Sequence, residues 1–190
     1  MKVSAGVDEV GRGCLAGPVY AAAVILDDSI NVKILKDSKL VAKDKRELLA
    51  NYIKKNSIWA IGKASVKEID KINILQASLL AMKRAITKLK KKPSHVLIDG
   101  NKVPDLKNYN LKAIIKGDQK IPSISAASII AKVSRDKFLT TLARNNKGYG
   151  WEQNFGYGTK QHLKAIKKLG INKHHRKTFS PISKFKTHKI

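Results

Sequence analysis

Two acidic residues lie side by side near the start of the chain, where the sequence otherwise predicts a buried strand. Asp8 and Glu9 follow the apolar run Val3 to Val7 and precede the glycine-rich turn Gly11-Arg12-Gly13. A half-buried carboxylate without a partner is costly, and hard divalent cations prefer carboxylate oxygens, so a metal ion is the natural partner. A turn with two solvated acids is the alternative for this pair alone. Because neighbouring strand residues point to opposite faces, the two share a site only if the strand bends near Gly11 or Glu9 reaches around it.

Two more acids follow short predicted strands further along the chain. Asp99 comes directly after His95 to Ile98, and Asp118 follows Leu111 to Ile115, each beside a glycine. In α/β sheets, functional residues gather beyond the carboxyl ends of the strands, and glycine lets a ligand approach the backbone. Four such acids suit a phosphodiester hydrolase in which two cations, roughly 4 Å apart, activate the attacking water and stabilise the leaving oxygen.

The intervening segments predict the elements that position these acids. Strand patterns cover Val3 to Val7, Val19 to Leu26, Ile58 to Val66, His95 to Ile98 and Leu111 to Ile115. Helical periodicity covers Lys43 to Lys54, Asp70 to Lys90, Pro122 to about Arg144, and Lys160 to Leu169. Strands alternating with helices favour an α/β domain whose sheet is at least partly parallel. On the third helix, one polar stripe either faces solvent or lines the cleft near Asp118, and it consists of Ser125, Ser128, Lys132 and Asp136.

Composition indicates a polyanionic partner. The 190 residues include 39 Lys and Arg against 14 Asp and Glu, which gives a formal net charge of +25. Such an excess predicts binding to nucleic acid or another polyanion without saying which. A single cysteine, Cys14, excludes an intrachain disulfide and suits a reducing compartment. The chain starts without an apolar run of signal-peptide length, and the run Val19 to Leu26 is too short to span a bilayer, so we expect a cytoplasmic protein without membrane contact.

The sequence changes character from Asn145 onwards. A glycine-, asparagine- and aromatic-rich stretch leads to a short helix and a tail with the basic residues Lys160, Lys164, Lys167, Lys168, Lys173, Arg176 and Lys177. Basic groups supply phosphate affinity, and aromatic faces stack on a base or sugar. We therefore expect a catalytic domain over residues 1–145 and a basic helical segment over residues 146–190 packed on it. Three histidines without zinc-like spacing are interpreted as phosphate contacts or surface residues: His162, His174 and His175.

Competing motifs fit the sequence less well. Gly11 to Ala16 satisfies the dinucleotide pattern G-x-G-x-x-[G/A], but Asp8 and Glu9 would repel a pyrophosphate, and a strand rather than a helix follows. No P-loop GK[ST] occurs. A glycosidase needs only two carboxylates and gives no reason for the large positive charge. Cys14 is interpreted as a small packing residue rather than a nucleophile.

The order of these motifs resembles that of ribonuclease HII, the type 2 ribonuclease H family. The matching segments run from about Val3 to Pro181 and are AGVDEVGRG with LAGPV, DSK, LIDGN, KGD, ISAASIIAKVSRD, GYGTKQH and HHRKTFSP. The resemblance implies a ribonuclease H-like fold, with a mixed five-stranded sheet, flanking helices and a small C-terminal helical segment. It also implies an endonuclease dependent on Mg²⁺ or Mn²⁺. That activity cuts RNA in RNA–DNA hybrids and cuts at single ribonucleotides embedded in duplex DNA, on the 5′ side of the ribonucleotide, leaving a 3′-hydroxyl.

The same resemblance assigns roles to individual residues. The positions that correspond to the metal-binding catalytic acids are Asp8, Glu9, Asp99 and Asp118. Asp136 corresponds to a nearby supporting acid, and Lys39 to a phosphate contact. Gly11-Arg12-Gly13 resembles the turn that senses the 2′-hydroxyl, where the absence of a Cβ at both glycines permits close approach of the backbone. Tyr157 resembles the tyrosine that stacks on the sugar of the neighbouring deoxynucleotide.

The chain departs from the family pattern in two places. Cys14 stands where the family usually has Pro, and Leu40-Val41-Ala42 replaces a more usual Lys-Leu-Ser. Basic residues close enough to substitute for a phosphate contact of that loop are Lys43, Lys45 and Arg46. Two alternatives stay open. One is a type 3 ribonuclease H, against which the lack of a sizeable domain before Val3 argues, and the other is a basic nucleic-acid-binding protein without catalysis. We expect a monomer, and the tail carries no dependable sliding-clamp motif.

Overall fold

The fold is organised around a mixed sheet of five strands in a computed structural model that describes residues 3–36 and 43–185. The strands are β1 Ser4–Val10, β2 Val19–Leu26, β3 Ser57–Ala64, β4 His95–Asp99 and β5 Leu111–Ile114. The helices are α1 Lys33–Lys36, α2 Lys43–Lys55, α3 Val66–Thr87, α4 Gly117–Lys120, α5 Pro122–Arg144, α6 Trp151–Asn154 and α7 Lys160–Leu169, followed by a 3₁₀ turn at Ile182–Lys184. The expected α/β class and five-stranded mixed sheet are confirmed. None of the helices in the described ranges is long and apolar enough to cross a membrane.

The order of the strands brings the predicted acids to one edge of the sheet. That order is β3-β2-β1-β4-β5, and β2 runs antiparallel to both of its neighbours, whereas β1, β4 and β5 are parallel. In the parallel register Val7 is paired with Ile98. Asp8 and Asp99, the next residues of the two strands, therefore lie side by side and point to the same face. Asp118 follows the end of β5 at the same edge.

Both faces of the sheet are covered by helices, which explains the uninterrupted apolar sequence of β2. Ala21 and Ala23 belong to the buried cluster formed with α3, while Ala22 and Val24 belong to the cluster formed with α2 and α5. Strands buried on both faces carry continuous apolar runs instead of alternating ones. Val7 belongs to the cluster on the α3 side, so its neighbour Asp8 points toward α5.

Helix α5 lies so close to β1 that only glycine fits at one position of the strand. A Cβ on Gly6 would lie 2.1 Å from the carbonyl carbon of Ser123 and 2.2 Å from the backbone nitrogen of Ile124. Backbone atoms cannot move away from a clash by changing rotamer, as a side chain can. We therefore expect Gly6→Ala to lower the free energy of unfolding by about 1–3 kcal/mol, measured by urea denaturation. Gly13→Ala is the control, because nothing lies within 4 Å of its Cβ position, and an unchanged midpoint for Gly6→Ala would contradict this packing.

Residues 146–185 pack against the glycine-rich turn and the end of α5. The buried residues of the shared cluster are Leu15, Ala16, Leu139, Ala143, Tyr149, Trp151, Ile166 and Ile182. His162 and His175 are fully buried in this region, and Trp151 Nε1 donates a hydrogen bond of 2.9 Å to His162 Nε2. Burial lowers the pKa of His175 to about 4, so the ring is neutral near pH 7. The interpretation of these two histidines as phosphate or surface residues is wrong, because the tail folds back and places their rings against aromatic side chains.

Candidate active site

Asp8 is a buried carboxylate near the end of β1. Only 5% of the residue is exposed. Its Oδ1 accepts a hydrogen bond of 2.7 Å from the N–H of Glu9, and the Ser128 side chain of α5 lies close enough to lower the pKa of Asp8. Burial, reinforced by the charges of Glu9 and Asp99, raises the pKa of Asp8 to about 7. The fold therefore holds an acid where its negative charge is unfavourable unless a cation offsets it.

Glu9, the second acid of β1, occupies a regular strand position. The pairing with β2 continues through Glu9 and Val10, so the strand does not bend between the two acids. Arg12 Nη1 donates to Glu9 Oε1 over 3.1 Å, whereas Oε2 is buried and has no hydrogen-bond partner in the part of the chain that the structure describes. Burial is the largest cause of the raised pKa of Glu9, which Arg12 opposes and Asp99 reinforces. The charge of Asp99 thus acts on Glu9 although β1 remains a regular strand at this position.

Asp99 and Asp118 are linked through the backbone beyond β4 and β5. Asp99 Oδ1 accepts hydrogen bonds from the N–H of Gly117 at 2.7 Å and from that of Asp118 at 3.4 Å. Lys116 adopts a φ of 55°, in the left-handed region, which turns the chain after β5 back toward Asp99. The structure therefore brings residues from three adjacent strand ends together, as the sequence predicts.

The acids are neighbours without forming a ready-made ion site. Within residues 3–36 and 43–185, no three Asp, Glu, His or Cys side chains form a group that could hold a metal ion. Each of the first three acids has a local partner instead, which is a serine, an arginine or a backbone amide. The donor set nonetheless fits a hard divalent cation, because it consists of carboxylate oxygens. Two of these carboxyls have raised pKa values, and one buried oxygen, Glu9 Oε2, has no other partner.

Part of the polar stripe of α5 borders this site, whereas Ser125 is buried and donates to the carbonyl oxygen of Leu35 over 2.8 Å. Ser128 lies close enough to Asp8 to lower its pKa, and one turn later Lys132 donates to Asp136 Oδ1 over 3.0 Å. The ammonium of Lys132 also lies 5.7 Å from the ring centroid of Tyr157. The structure thus places Asp136, a buried residue, beside Lys132 and the tyrosine. The sequence places Ser128 on the stripe without a role, and its place beside Asp8, whose pKa it lowers, supplies one.

The two glycines of the turn serve different needs. Gly11 has a φ of 91°, and a Cβ there would lie 2.1 Å from Nε of Arg135. Gly13 has nothing within 4 Å of its Cβ position and is exposed. The missing Cβ of Gly11 therefore makes room for Arg135, a residue that sequence reasoning did not single out. At Gly13, by contrast, a substrate can approach the backbone closely.

Tyr157 lies beside the turn with part of its ring open to solvent. The residue is 38% exposed, and its side chain lies close to that of Cys14, which is buried. Burial raises the pKa of Tyr157 to about 12 and also raises that of the Cys14 thiol, so both groups are protonated at neutral pH. Cys14 is therefore a packing residue, as expected.

Lys39 lies outside the described residues, as does the segment Leu40-Val41-Ala42. Arg176, expected to act with the basic tail, is fully buried and donates its hydrogen bonds to backbone carbonyls of the chain. The phosphate role of Arg176 is wrong, because its guanidinium points into the protein.

A mixed five-stranded sheet with acids from three neighbouring strands at one edge defines the class of ribonuclease H-like, metal-dependent nucleases. The family model described as Ribonuclease HII matches residues 5–185. A curated relative from Pelagibacter ubique (strain HTCC1062), named Ribonuclease HII, is 76% identical over 183 residues, which are 96% of this chain and 98% of the relative. The chain therefore belongs to the ribonuclease HII family.

Two solved structures share the fold. The ribonuclease H2 from Pyrococcus horikoshii OT3 is 28% identical, with a TM-score of 0.78 and 95% of each chain covered. Bst-RNase HIII in complex with Mn²⁺ is 21% identical, with a TM-score of 0.75 over 96% of this chain and 68% of the other. Family membership confirms the type 2 assignment over a type 3 enzyme and over a binder without catalysis. The chain is a divalent-metal-dependent endoribonuclease, a hydrolase acting on nucleic acid, and the two-metal mechanism is typical of the family.

Proposed function

We propose that the chain hydrolyses the phosphodiester on the 5′ side of ribonucleotides and leaves a 3′-hydroxyl, both in RNA–DNA hybrids and at single ribonucleotides embedded in duplex DNA. The observation that carries the proposal is that α5 joins the acids to the tyrosine. Ser128 lies close enough to Asp8 to lower its pKa, and the ammonium of Lys132, one turn further, lies 5.7 Å from the ring centroid of Tyr157. Tyr157 in turn lies close to Cys14, directly after the glycine turn. Groups for hydrolysis, for reading the ribonucleotide and for stacking on its neighbour thus adjoin one another.

We infer that the cofactor is Mg²⁺ or Mn²⁺, both of which suit carboxylate ligands. The residues that would hold it are Asp8, Glu9, Asp99 and Asp118. A divalent metal bound there supplies an activated water and stabilisation of the leaving oxygen. The chain itself orients the ligands. The Glu9 amide holds Asp8, the amide of Gly117 holds Asp99, and Arg12 partly neutralises Glu9.

The remaining recognition falls to residues 146–190, while residues 1–145 supply the acids. Between residues 160 and 177, six exposed lysines follow the stacking tyrosine in the sequence: Lys160, Lys164, Lys167, Lys168, Lys173 and Lys177. Their charges suit a duplex backbone, and the affinity that they supply should fall steeply with salt. This division into a catalytic domain and a packed recognition segment is supported by the hydrophobic cluster that joins them.

The test is a nicking assay on a duplex that carries one ribonucleotide, with Mn²⁺, Mg²⁺ or EDTA. We expect one cut with either metal, on the 5′ side of the ribonucleotide, and none with EDTA. The cut site is mapped on a denaturing gel against an alkaline ladder of the same strand. Cutting on the 3′ side, or equal cutting of an all-DNA duplex, would contradict the proposed function.

Tyr157→Ala should impair cutting at a single ribonucleotide about tenfold more than cutting within a long hybrid. Stacking on a nucleotide contributes about 1–3 kcal/mol, and about 1.4 kcal/mol corresponds to a factor of ten. The measurement is kcat/KM on both substrates. Tyr52→Ala on α2 is the matched control, since Tyr52 is also 38% exposed. Equal losses on both substrates would remove the junction role of Tyr157.

A further inference from the structure

Two fully buried arginines hold the glycine-rich turn. Arg135 comes from α5 and Arg176 from the C-terminal segment, and both have 0% exposure. Neither forms a salt bridge within the described residues. A buried cation without an acidic partner is costly unless hydrogen bonds compensate it. Here the compensating groups are backbone carbonyls, so the two side chains are bound to the course of the main chain.

The hydrogen bonds fall within the turn, on the segment that directly follows it and on Phe155. Arg176 donates to three carbonyl oxygens, those of Gly11 at 2.6 Å, Arg12 at 2.7 Å and Gly17 at 3.0 Å. Arg135 donates to three others, those of Ala16 at 3.0 Å, Pro18 at 2.9 Å and Phe155 at 2.9 Å. The planar guanidinium donates to three acceptors at once. The ammonium of a lysine arranges its donors in a different geometry and does not match these three carbonyls.

Fixing a carbonyl also fixes the N–H on the other side of the same peptide plane. In a trans peptide the two point in opposite directions. The carbonyls of Gly11 and Arg12 share their peptide planes with the N–H groups of Arg12 and Gly13. Arg176 therefore turns these two N–H groups away from the protein interior. Within the described part of the chain neither N–H has an acceptor, and both residues are exposed.

We propose that Arg176 and Arg135 are positioning residues for ribonucleotide selection, which hold the turn so that the N–H groups of Arg12 and Gly13 meet the oxygens of the ribonucleotide. This inference rests on the proposed function, in which the turn reads the 2′-hydroxyl. Arg135 also connects the turn to the strand of the first two acids, since it lies against Gly11 and its helix α5 packs on β1 at Gly6.

The loop that carries Arg176 has an anchor of its own. Asp70 accepts hydrogen bonds of 3.1 Å from the N–H groups of both Lys177 and Thr178. The C-terminal segment is thereby fixed on one side to α3 and on the other to the turn. Selection of the ribonucleotide accordingly depends on a side chain more than 160 residues from the turn in sequence, as Arg176 and Gly11 are separated by 165 positions.

The test compares binding to two duplexes that differ by a single 2′-hydroxyl, in EDTA so that neither is cut. Arg176→Lys keeps the charge and loses the three-carbonyl fork. We expect its affinity for the all-DNA duplex to stay within about twofold and its affinity for the ribonucleotide duplex to fall about tenfold, as for one misplaced hydrogen bond. Partial unfolding would lower the active fraction without moving this ratio. Arg84→Lys is the matched control, because Arg84 also donates to a backbone carbonyl, that of Lys63, but lies on α3.

An unchanged ratio in a folded Arg176→Lys protein would overturn the inference. If this variant fails to fold, Asp70→Asn takes its place, since it loosens the loop and leaves the guanidinium intact. We expect Asp70→Asn to lower the ratio about threefold, and an unchanged ratio again overturns the inference. A wild-type protein that binds both duplexes equally would overturn ribonucleotide selection by the turn itself, and this inference with it. That result would leave the metal-dependent nuclease activity of the wild-type protein unaffected.

Discussion

Asp99→Asn should abolish nicking of a duplex that carries one ribonucleotide, while the duplex stays bound. We expect the single-turnover rate to fall at least about 10³-fold, or about 4 kcal/mol, because a neutral amide cannot replace an anionic metal ligand. Asparagine keeps an oxygen that accepts the N–H of Gly117, a bond of 2.7 Å in this structure, so the strand end should stay folded. Removing a negative charge from the site should leave duplex binding equal or tighter, measured by gel shift in EDTA.

The control for this variant is Asp28→Asn, which makes the same change in net charge. Asp28 is exposed and follows β2, at the edge of the sheet away from the acids. We expect its nicking rate to stay within about twofold of wild type, as for a surface substitution away from any special feature. Wild-type nicking by Asp99→Asn would show that this acid holds no essential metal, and the assignment of the site would fail.

Elements with a strong local pattern could be predicted almost to their ends. The bounds predicted for β2 and for α5 match the structure, since β2 is uniformly apolar and Pro122 marks the first turn of α5. The periodicity predicts that α3 starts at Asp70, whereas the helix begins four residues earlier, at Val66, because Ser65 and Glu68 form a capping box ahead of the apolar pattern. Strand β1 extends beyond Val7 to Val10, since pairing with β2 outweighs the low strand propensity of two acids.

The acids of the site left a signal in the sequence, whereas the groups that hold the turn did not. Asp99 and Asp118 each follow a short apolar strand, and parallel strand ends meet at one edge. Arg135 and Arg176 are two of 39 basic residues, and no periodicity distinguishes a buried arginine from an exposed one. Their role depends on contacts between distant segments, such as the bond from Arg176 to Gly11 across 165 positions. The burial of His162 has the same origin.

Asp8→Asn should stabilise the metal-free protein above pH 7 while it abolishes cutting. Burial and the neighbouring acids raise the pKa of Asp8 from 3.8 to about 7, which makes the ionised carboxylate unfavourable in the folded state. Such a shift corresponds to a gain on the order of 2–4 kcal/mol in the free energy of unfolding when the charge is removed. The measurement is urea denaturation of both proteins in EDTA at pH 8.

The sign of the pH dependence follows from the direction of that shift. A raised pKa means that the folded protein binds the proton more tightly, so the stability contributed by Asp8 is fully present below pH 3.8 and is lost as the pH rises through about 7. The difference between Asp8→Asn and wild type should therefore grow from pH 4 to 7 and stay constant above. Comparison at equal pH cancels the contribution of His175, whose pKa of about 4 acts in the opposite direction.

Divalent metal should narrow the stability difference at pH 8. A ligand that binds only the folded state stabilises it by mass action, so millimolar Mg²⁺ should raise the melting temperature of wild type by several degrees, and excess EDTA should cancel the gain. Asp8→Asn should gain much less, whereas Asp28→Asn should gain as much as wild type. Equal gains in all three proteins would separate Asp8 from the metal. The expected result instead makes one buried carboxylate both the cause of instability without metal and the reason that metal binds.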